Sequence, residues 1–445
     1  MNIDMTKGKA VNTLIVFSMP LVLSNLIQQS YNVVDSIIVA KLLGINAFAA
    51  VGATGGFVFM FIGFAIGITS GFGVIIASEF GAKNHKKLRQ SICMSFILAI
   101  GIIVPLTILA LLVYNPILVW MQTPAEIFEM ALEYITIIFA GMIFTVLFNL
   151  FACISRAVGD STTPLIFMVG SSIANIILNF IFIGGLHLGV GGAAYATVFS
   201  QGIAGLICGA YLMKKFPFLM PSKEEWKIDI EICKRLLKMG VPIGFQQSIT
   251  AIGVMALQGA INGLGTLYIV AYTCGSRIIM LFAQISNALG TGISIYTAQN
   301  LGAKKGFRIK EGVKSAFFIT LSYSVIVFGL LLIFGKYMVV WFIEDTQTQV
   351  IGIALYYLRW LGATFWCMAI LSIFRGALSG IGNGWIPMLS GAIELVARVL
   401  AALIFVKIMG FTGIIISEPI AWVFANILMM IYWKKECTKL ERIMS

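Results

Sequence analysis

Charge is what this chain has least of. Acidic and basic residues make up 11% of its 445 residues, against 60% hydrophobic ones, where a soluble domain carries about 25% charged residues. That composition excludes a free-standing aqueous globule. Histidine is scarcer still: His85 and His187 are the two in the chain. Both are placed in loops with no second ligand at metal spacing, so they read as solvated loop residues and not as a metal site. The seven cysteines, Cys93, Cys153, Cys208, Cys233, Cys274, Cys367 and Cys437, show no C-x-x-C spacing, and most lie in apolar runs. They read as small hydrophobes, which excludes a disulfide framework or a metal cluster. No G-x-x-x-x-G-K-[ST] phosphate loop occurs, so direct drive by ATP finds no support. The apolar segments hold no nucleophile motif or catalytic dyad, which argues against an enzyme, and no cofactor is expected. The first apolar run is too long for a cleavable signal, and no small-residue cleavage site closes it.

Long hydrophobic stretches are what the chain has in abundance. Twelve apolar spans are read, six between about Val11 and Met213 and six between Leu236 and Trp433. Most exceed the ~20 residues that cross a bilayer, so tilted or bent helices are expected. Pro20, Pro105 and Pro242 are the candidate bends. The predicted fold class is an all-α integral membrane protein with twelve transmembrane helices in two six-helix lobes. Residues 1–213 form the N-lobe and 239–445 the C-lobe. Between them, 214–238 reads as a cytoplasmic linker with an amphipathic, interfacial helix.

With a cytoplasmic N-terminus, 24 of the 30 Lys and Arg fall on inner segments. The outer loops hold only Lys41, Lys336 and Lys407, while Arg277, Arg359 and Arg398 fall within spans. This positive-inside bias predicts a multi-pass protein of the cytoplasmic (inner) membrane with both termini in the cytoplasm. The net charge of +12 is then explained by orientation and by anionic lipid, without a nucleic-acid partner. Arg277 and Arg359 are expected near span ends, or reaching for carbonyls by snorkelling.

The two halves resemble each other. Pro20 matches Pro242 at an offset of 222, and Glu79-Phe-Gly-Ala-Lys matches Asn300-Leu-Gly-Ala-Lys at 221. Gly159 and Gly382 recur at 223, Gly189 and Gly410 at 221. Six spans per half is an even number, so both halves insert the same way. The expected pseudo-twofold axis runs along the membrane normal, with a central cavity as the default substrate site.

One stretch organises the reading of function. In Ser24–Asp35, a helix places Asn25, Gln28, Gln29, Asn32 and Asp35 on one flank, with Leu, Ile and Val on the other. A carboxylate at helix-centre depth costs ~2.5–3.5 kcal/mol on insertion scales, so it faces a cavity or a partner. The plainer alternative is an acid at the helix end, close to interfacial water. Span seven adds Gln246, Gln247, Thr250 and Gln258. Span eleven carries Glu394 and Arg398 at i, i+4, a spacing suited to an ion pair. Either Glu394 touches a cationic substrate or the two neutralise each other inside the membrane. Glu79 and Asp160 border cytoplasmic loops and read as capping or gating groups.

At these residues the chain resembles the multidrug and toxic compound extrusion family, in its bacterial DinF-like, MepA-like branch. The resemblance rests on Asp35 in VVDSIIVAKLLG, the pair FGAKN and NLGAKK, GDSTTP after span four, NIILN in span five, GGAAYAT in span six and IELVAR in span eleven. It implies a secondary active efflux transporter that exports amphipathic organic cations against inward H⁺ or Na⁺ by alternating access. It further implies coupling-ion binding at Asp35, Asn175, Asn179 and Thr197, with any metal limited to Na⁺ at that site. Asn179 stands where many relatives carry an acid, so this site has at most one protonatable group. The substrate cavity is assigned to Asn25, Gln28, Gln29, Asn32, Gln247, Thr250, Gln258, Glu394 and Arg398. Span ten lacks the acid that some relatives place there. The partners expected are small molecules and the lipid bilayer, and a monomer is expected to suffice. The alternative reading is a lipid-linked saccharide flippase of the same superfold.

Overall fold

The computed structural model describes residues 3–120 and 123–444. Among the described residues, nearly everything is helix, as a lipid environment demands: backbone polar groups without water must be satisfied within the segment. The order is α1 (Ala10–Leu43), α2 (Ile45–Gly81), α3 (His85–Trp120), α4 (Ala125–Ala140), α5 (Met142–Ala157), α6 (Thr162–Asn179) and α7 (Gly189–Lys215). There follow α8 (Ile230–Asn262), α9 (Thr266–Gly302), α10 (Gly306–Val340), α11 (Thr348–Gly380), α12 (Trp385–Met409) and α13 (Phe411–Met444). Eleven helical segments among the described residues are long and apolar enough to cross a membrane. The pair α4 and α5, bent by 45° at a single residue, makes the twelfth span. That residue is Gly141, where a Cβ would lie 2.3 Å from Val198 of α7. This break falls at a glycine that none of the candidate prolines marked, packed where α7 needs the space. Pro20, Pro105 and Pro242 all lie within continuous helices.

The chain forms two compact units. Unit 1 comprises Met1–Asp4 and Leu23–Ser248; unit 2 comprises Met5–Val22 and Ile249–Ser445. Helices α1 and α8 are each divided between the units, in opposite order along the chain. In unit 1 the first half of α8 packs on α2 through two Gly-x-x-x-Gly pairs. A Cβ on Gly67 would lie 2.7 Å from the Gly244 Cα, and one on Gly71 only 2.5 Å from the Gly240 Cα. Small residues replace side-chain interdigitation with backbone contact, which suits association where apolar burial gives no drive. Unit 2 uses the same device between α9 and α11. Cβ atoms on Gly376 and Gly380 would fall 2.1 Å from the Gly290 carbonyl oxygen and 2.5 Å from that of Ser294.

The internal repeat is also visible in the backbone. Left-handed conformations recur at Gly44 and Gly265 (φ 87° and 101°), Lys83 and Lys304 (57° and 56°), Gly159 and Gly382 (87° and 86°), and Gly189 and Gly410 (57° and 58°). Each pair lies at equivalent junctions between helices, so the matching sequence motifs encode matching turns.

The linker has little regular structure before α8. Ile230–Lys238 is helical and runs without a break into the rest of α8, and two short 3₁₀ turns, Pro217–Leu219 and Lys223–Trp226, precede it. Polar anchors hold this stretch within unit 1. Arg89 Nε donates to Glu225 Oε1 at 2.8 Å, and Arg235 Nη1 donates to Glu79 Oε1 at 2.8 Å. Ser222 and Glu225 cap each other reciprocally around the second turn. His85 opens α3, with its ring 5.4 Å from that of Phe218, so it is not a free loop residue. Burial raises the Glu225 pKa, but bonds from the Ser222 backbone and Arg89 prevail and hold it below the usual range.

Asp160, fully buried, caps α6 by accepting from the Thr162 and Thr163 amides and pairs with Lys215 Nζ at 2.6 Å. Burial alone would raise its pKa; hydrogen bonds from Lys215 and Thr163 outweigh that and hold it below the ordinary value. Because the folded value is the lower one, its stabilisation is present above the unfolded value of about 4 and is lost as pH falls through the folded value. Asp160→Asn should therefore cost about 1–2 kcal/mol at neutral pH, allowing for the part-exposed ammonium. In thermal melts of detergent-solubilised protein the gap to wild type should close below pH ~4. A gap that persists undiminished in acid would assign the loss to packing.

Candidate ion and substrate sites

In unit 1 the polar stripe of α1 meets α6 and α7 at Asp35. The carboxylate is 8% exposed, and Asn175 and Asn179, one turn apart on α6, are fully buried beside it. Asn179 Nδ2 donates to Asp35 Oδ1 at 2.7 Å and to Asn175 Oδ1 at 2.8 Å. Asn175 Nδ2 lies 3.3 Å from Thr197 Oγ1, which also meets the Tyr31 hydroxyl at 3.2 Å. With the Asn175 amide turned over, its nitrogen donates to Asp35 at 3.2 Å and its oxygen accepts from Thr197 and Tyr31. The four residues singled out as the coupling site thus come together, and Tyr31 joins them. Tyr31, which the sequence reading missed, sits one helical turn before Asp35, and that i, i+4 spacing is the signal that could have found it. The Asn179 Oδ1 atom is buried without a hydrogen-bond partner among the described residues. Directly after Asn179 the helix loosens into a π-helical turn, Phe180–Gly185, a distortion common at functional sites. Chemically this is one carboxylate among neutral amide and hydroxyl oxygens. Such a set can take up a proton or hold a hard monovalent cation.

Applying the repeat offsets of 221 to 223 carries Asn175 to Arg398, Thr197 to Glu418 and Tyr134 to Tyr357. In unit 2 these positions form an ionic cluster. Glu394 is 6% exposed and its two oxygens are both taken: Arg375 Nη2 donates at 2.7 Å and Arg398 Nη2 at 2.5 Å. Arg375 also donates through Nε to Ser390 at 2.9 Å. A Cβ on Gly253 of α8 would lie 2.9 Å from Arg398 Nη1, so the guanidinium occupies the space that this glycine leaves. Tyr357, stacked edge-on to Tyr272 with centroids 5.4 Å apart, donates to Glu418 Oε1 at 3.3 Å. The pairing of Glu394 with Arg398 agrees with the i, i+4 reading. Arg375, from α11, is the addition. Of the two readings of this pair, the arrangement found is mutual neutralisation, with both Glu394 oxygens engaged by arginines. Buried charge must be paired, and the two arginines pair it. The repeat arithmetic would have found Glu418.

The remaining cavity residues separate by unit. Gln28 and Asn32 are exposed and Asn25 and Gln29 half-buried on the unit 1 part of α1, and Gln247 is exposed near the end of the unit 1 part of α8. Thr250 and Gln258 are half-buried in unit 2, where Gln258 donates to Asn262 at 3.0 Å. Of the two placements expected for Arg277 and Arg359, the helix end is not the one found. Each lies eleven residues past the start of its helix, Thr266 of α9 and Thr348 of α11, and is exposed. At 1.5 Å per residue that is roughly 16 Å inside the helix end, too deep for a terminal position.

Comparison with known proteins places this architecture. The MatE family model matches twice, over residues 20–181 and 242–404, once in each half. YpnP of Bacillus subtilis (strain 168), a probable multidrug resistance protein, is 26% identical over 381 residues, covering 85% of this chain and 84% of its own. The multidrug export protein MepA of Staphylococcus aureus (strain NCTC 8325 / PS 47) is 25% identical over 421 residues, covering 93% and 91%. Among solved structures, an outward-facing multidrug resistance MATE family transporter of the MOP superfamily superposes with a TM-score of 0.92 at 25% identity, over 99% of this chain and 98% of that one. Its helices, its repeated turns and the two matched halves together establish that the chain belongs to the MatE family.

Proposed function

We propose that this protein, a membrane transporter and not an enzyme, exports amphipathic organic cations in exchange for inward H⁺ or Na⁺ by alternating access. The observation that carries the reading is Asp35: a buried carboxylate held by Asn179, within a cluster whose other members are neutral. The relatives named as multidrug exporters support the substrate class. The unpartnered Asn179 oxygen supports an ion as the missing partner. The ion is cargo here, taken up at the Asp35 carboxylate on one side of the membrane and released on the other. Orientation follows the positive-inside charge bias, with both termini in the cytoplasm.

The test is dye accumulation in inverted vesicles driven by an imposed ΔpH or ΔNa⁺ in turn. Accumulation of an ethidium-like monocation under one gradient is the expected result. Accumulation under neither gradient, with protein of verified orientation, rejects the antiport reading.

A further inference from the structure

The stretch of unit 1 that leads into α8 displays large apolar side chains where a connector in water would carry polar ones. Trp226, Ile228 and Ile230 are 46%, 71% and 65% exposed. They occupy alternate positions, and the chain is extended at Lys227 between them (φ −63°, ψ 132°), so the three share one edge. The backbone behind that edge is fastened down. Glu225 accepts from Arg89 Nε and from the Ser222 amide, each at 2.8 Å. Asp229 Oδ1 accepts from the Glu231 and Ile232 amides at 3.0 and 3.1 Å. The strip is therefore held in place with its apolar edge left outside.

The internal repeat does not require this edge. The offset of 222 that joins Pro20 to Pro242 carries Trp226, Ile228 and Ile230 back to Asp4, Thr6 and Gly8. The strip that precedes α1 thus has nothing apolar at the three positions, so their character is not imposed by the turn that the halves share.

Depth follows from one contact. The Asp229 amide donates to Met94 Sδ at 3.4 Å, and Met94 stands three residues into the apolar run of α3 that opens at Ser91. Helical side chains lean toward the N-terminus of their helix, so this sulfur marks the level at which α3 passes from Lys86, Lys87 and Arg89 to apolar residues. Ile228 and Ile230 flank Asp229 at that level, where a bilayer has its headgroup layer. Five exposed lysines surround the strip, Lys214, Lys223, Lys227, Lys234 and Lys238, against two exposed acids, Glu224 and Glu231. Among the described residues none of the five is in a salt bridge.

We propose that Trp226, Ile228 and Ile230 seat in the headgroup layer of the cytoplasmic leaflet, and that the lysines around them select anionic lipid there. The proposal rests on the inward orientation of the linker and is independent of cargo and coupling ion. Tryptophan suits this layer because its ring has an apolar body and a polar N–H. The two isoleucines reach the acyl boundary, and each lysine near an anionic surface strengthens attachment by roughly fivefold.

The test places a nitrobenzoxadiazole fluorophore on Ile228→Cys in the full chain. Cys233 and Cys437, the two half-buried cysteines, are replaced by serine; the other five are buried. The protein is reconstituted in phosphatidylcholine vesicles with or without one quarter phosphatidylglycerol. Two quenchers are compared, a lipid nitroxide near the headgroup and aqueous iodide. Both are present on both sides of the membrane, so the orientation of the protein does not enter the result. Quenching by the lipid nitroxide should exceed that by iodide, and the ratio should rise about threefold or more with phosphatidylglycerol. K223Q/K227Q/K234Q should abolish that rise while keeping the phosphatidylcholine value, with dye export in phosphatidylcholine within about twofold of the parent showing that the protein is folded. A fluorophore open to iodide in both vesicles overturns the proposal. So does one shielded from both quenchers, which assigns the edge to a protein partner or a second copy. Lipid quenching that ignores both phosphatidylglycerol and the lysine substitutions overturns the selection of anionic lipid.

Discussion

Asp35→Asn is expected to reduce ion-driven export to the level of protein-free liposomes, a loss of at least about a hundredfold, while membrane insertion and yield stay unchanged. The substitution removes the one carboxylate of the unit 1 cluster and keeps its shape. An amide oxygen at position 35 still accepts from Asn179, which now donates to the carboxylate at 2.7 Å. What disappears is the group able to hold a proton or balance a cation; Asn175, Asn179, Thr197 and Tyr31 are neutral. A buried amide also avoids the cost of a buried charge, so stability should hold or rise slightly. The measurement is dye flux at matched protein density under imposed gradients. Normal flux in this variant would make Asp35 a structural residue and move the coupling ion elsewhere, with the Glu418 carboxylate of unit 2 the next place to look. Asn179→Asp is the milder change: it should retain export and shift ion preference.

Glu394→Gln should have its largest effect on folding, not on coupling. The carboxylate bonds Arg375 and Arg398 at 2.7 and 2.5 Å in a site where Glu394 and Arg398 are each 6% exposed. Removing the acid strands two guanidinium groups, and breaking a buried pair in this way costs about 3–5 kcal/mol. Purified yield should fall, and the thermal midpoint in detergent should drop by several degrees. Replacing all three charges, E394L/R375L/R398L, should recover most of the loss, because the burden is the unpaired charge and not the missing contact. A Glu394→Gln protein with the wild-type midpoint would show that water reaches these arginines. The contrast between the two acids follows from their neighbours: Asp35 is held by amides that leave it free to change charge, while Glu394 is locked by two cations.

The comparison of sequence and structure is instructive at particular residues. Asp35 was legible because its stripe repeats at helical spacing and because a carboxylate in an apolar run needs a reason to be there. The Asn175 and Asn179 spacing placed both amides on one face, as found. Arg375 was not legible, since it stands nineteen residues from Glu394 and local periodicity does not bring α11 onto α12. The end position offered for Arg277 and Arg359, beside snorkelling, came from hydropathy windows, which locate spans but do not fix where a residue lies along a helix that overruns the bilayer. The bend at Gly141 was missed because glycine is frequent in membrane helices, and only the Val198 side chain makes this one necessary.

The sequence by itself determined the class of this protein, its spans and its duplication. Apolar runs in lipid have one stable backbone solution, and turn residues repeated at a constant offset impose the same turns twice. It also determined which polar residues share a face of one helix, because that depends on local geometry alone. Tertiary structure decided which faces meet: that Asp35 is held by amides and Glu394 by arginines. It decided too that α1 and α8 are each divided between the two units. Those outcomes depend on contacts between residues far apart in the chain, set by where small residues let backbones approach, and no periodicity within a single segment encodes them.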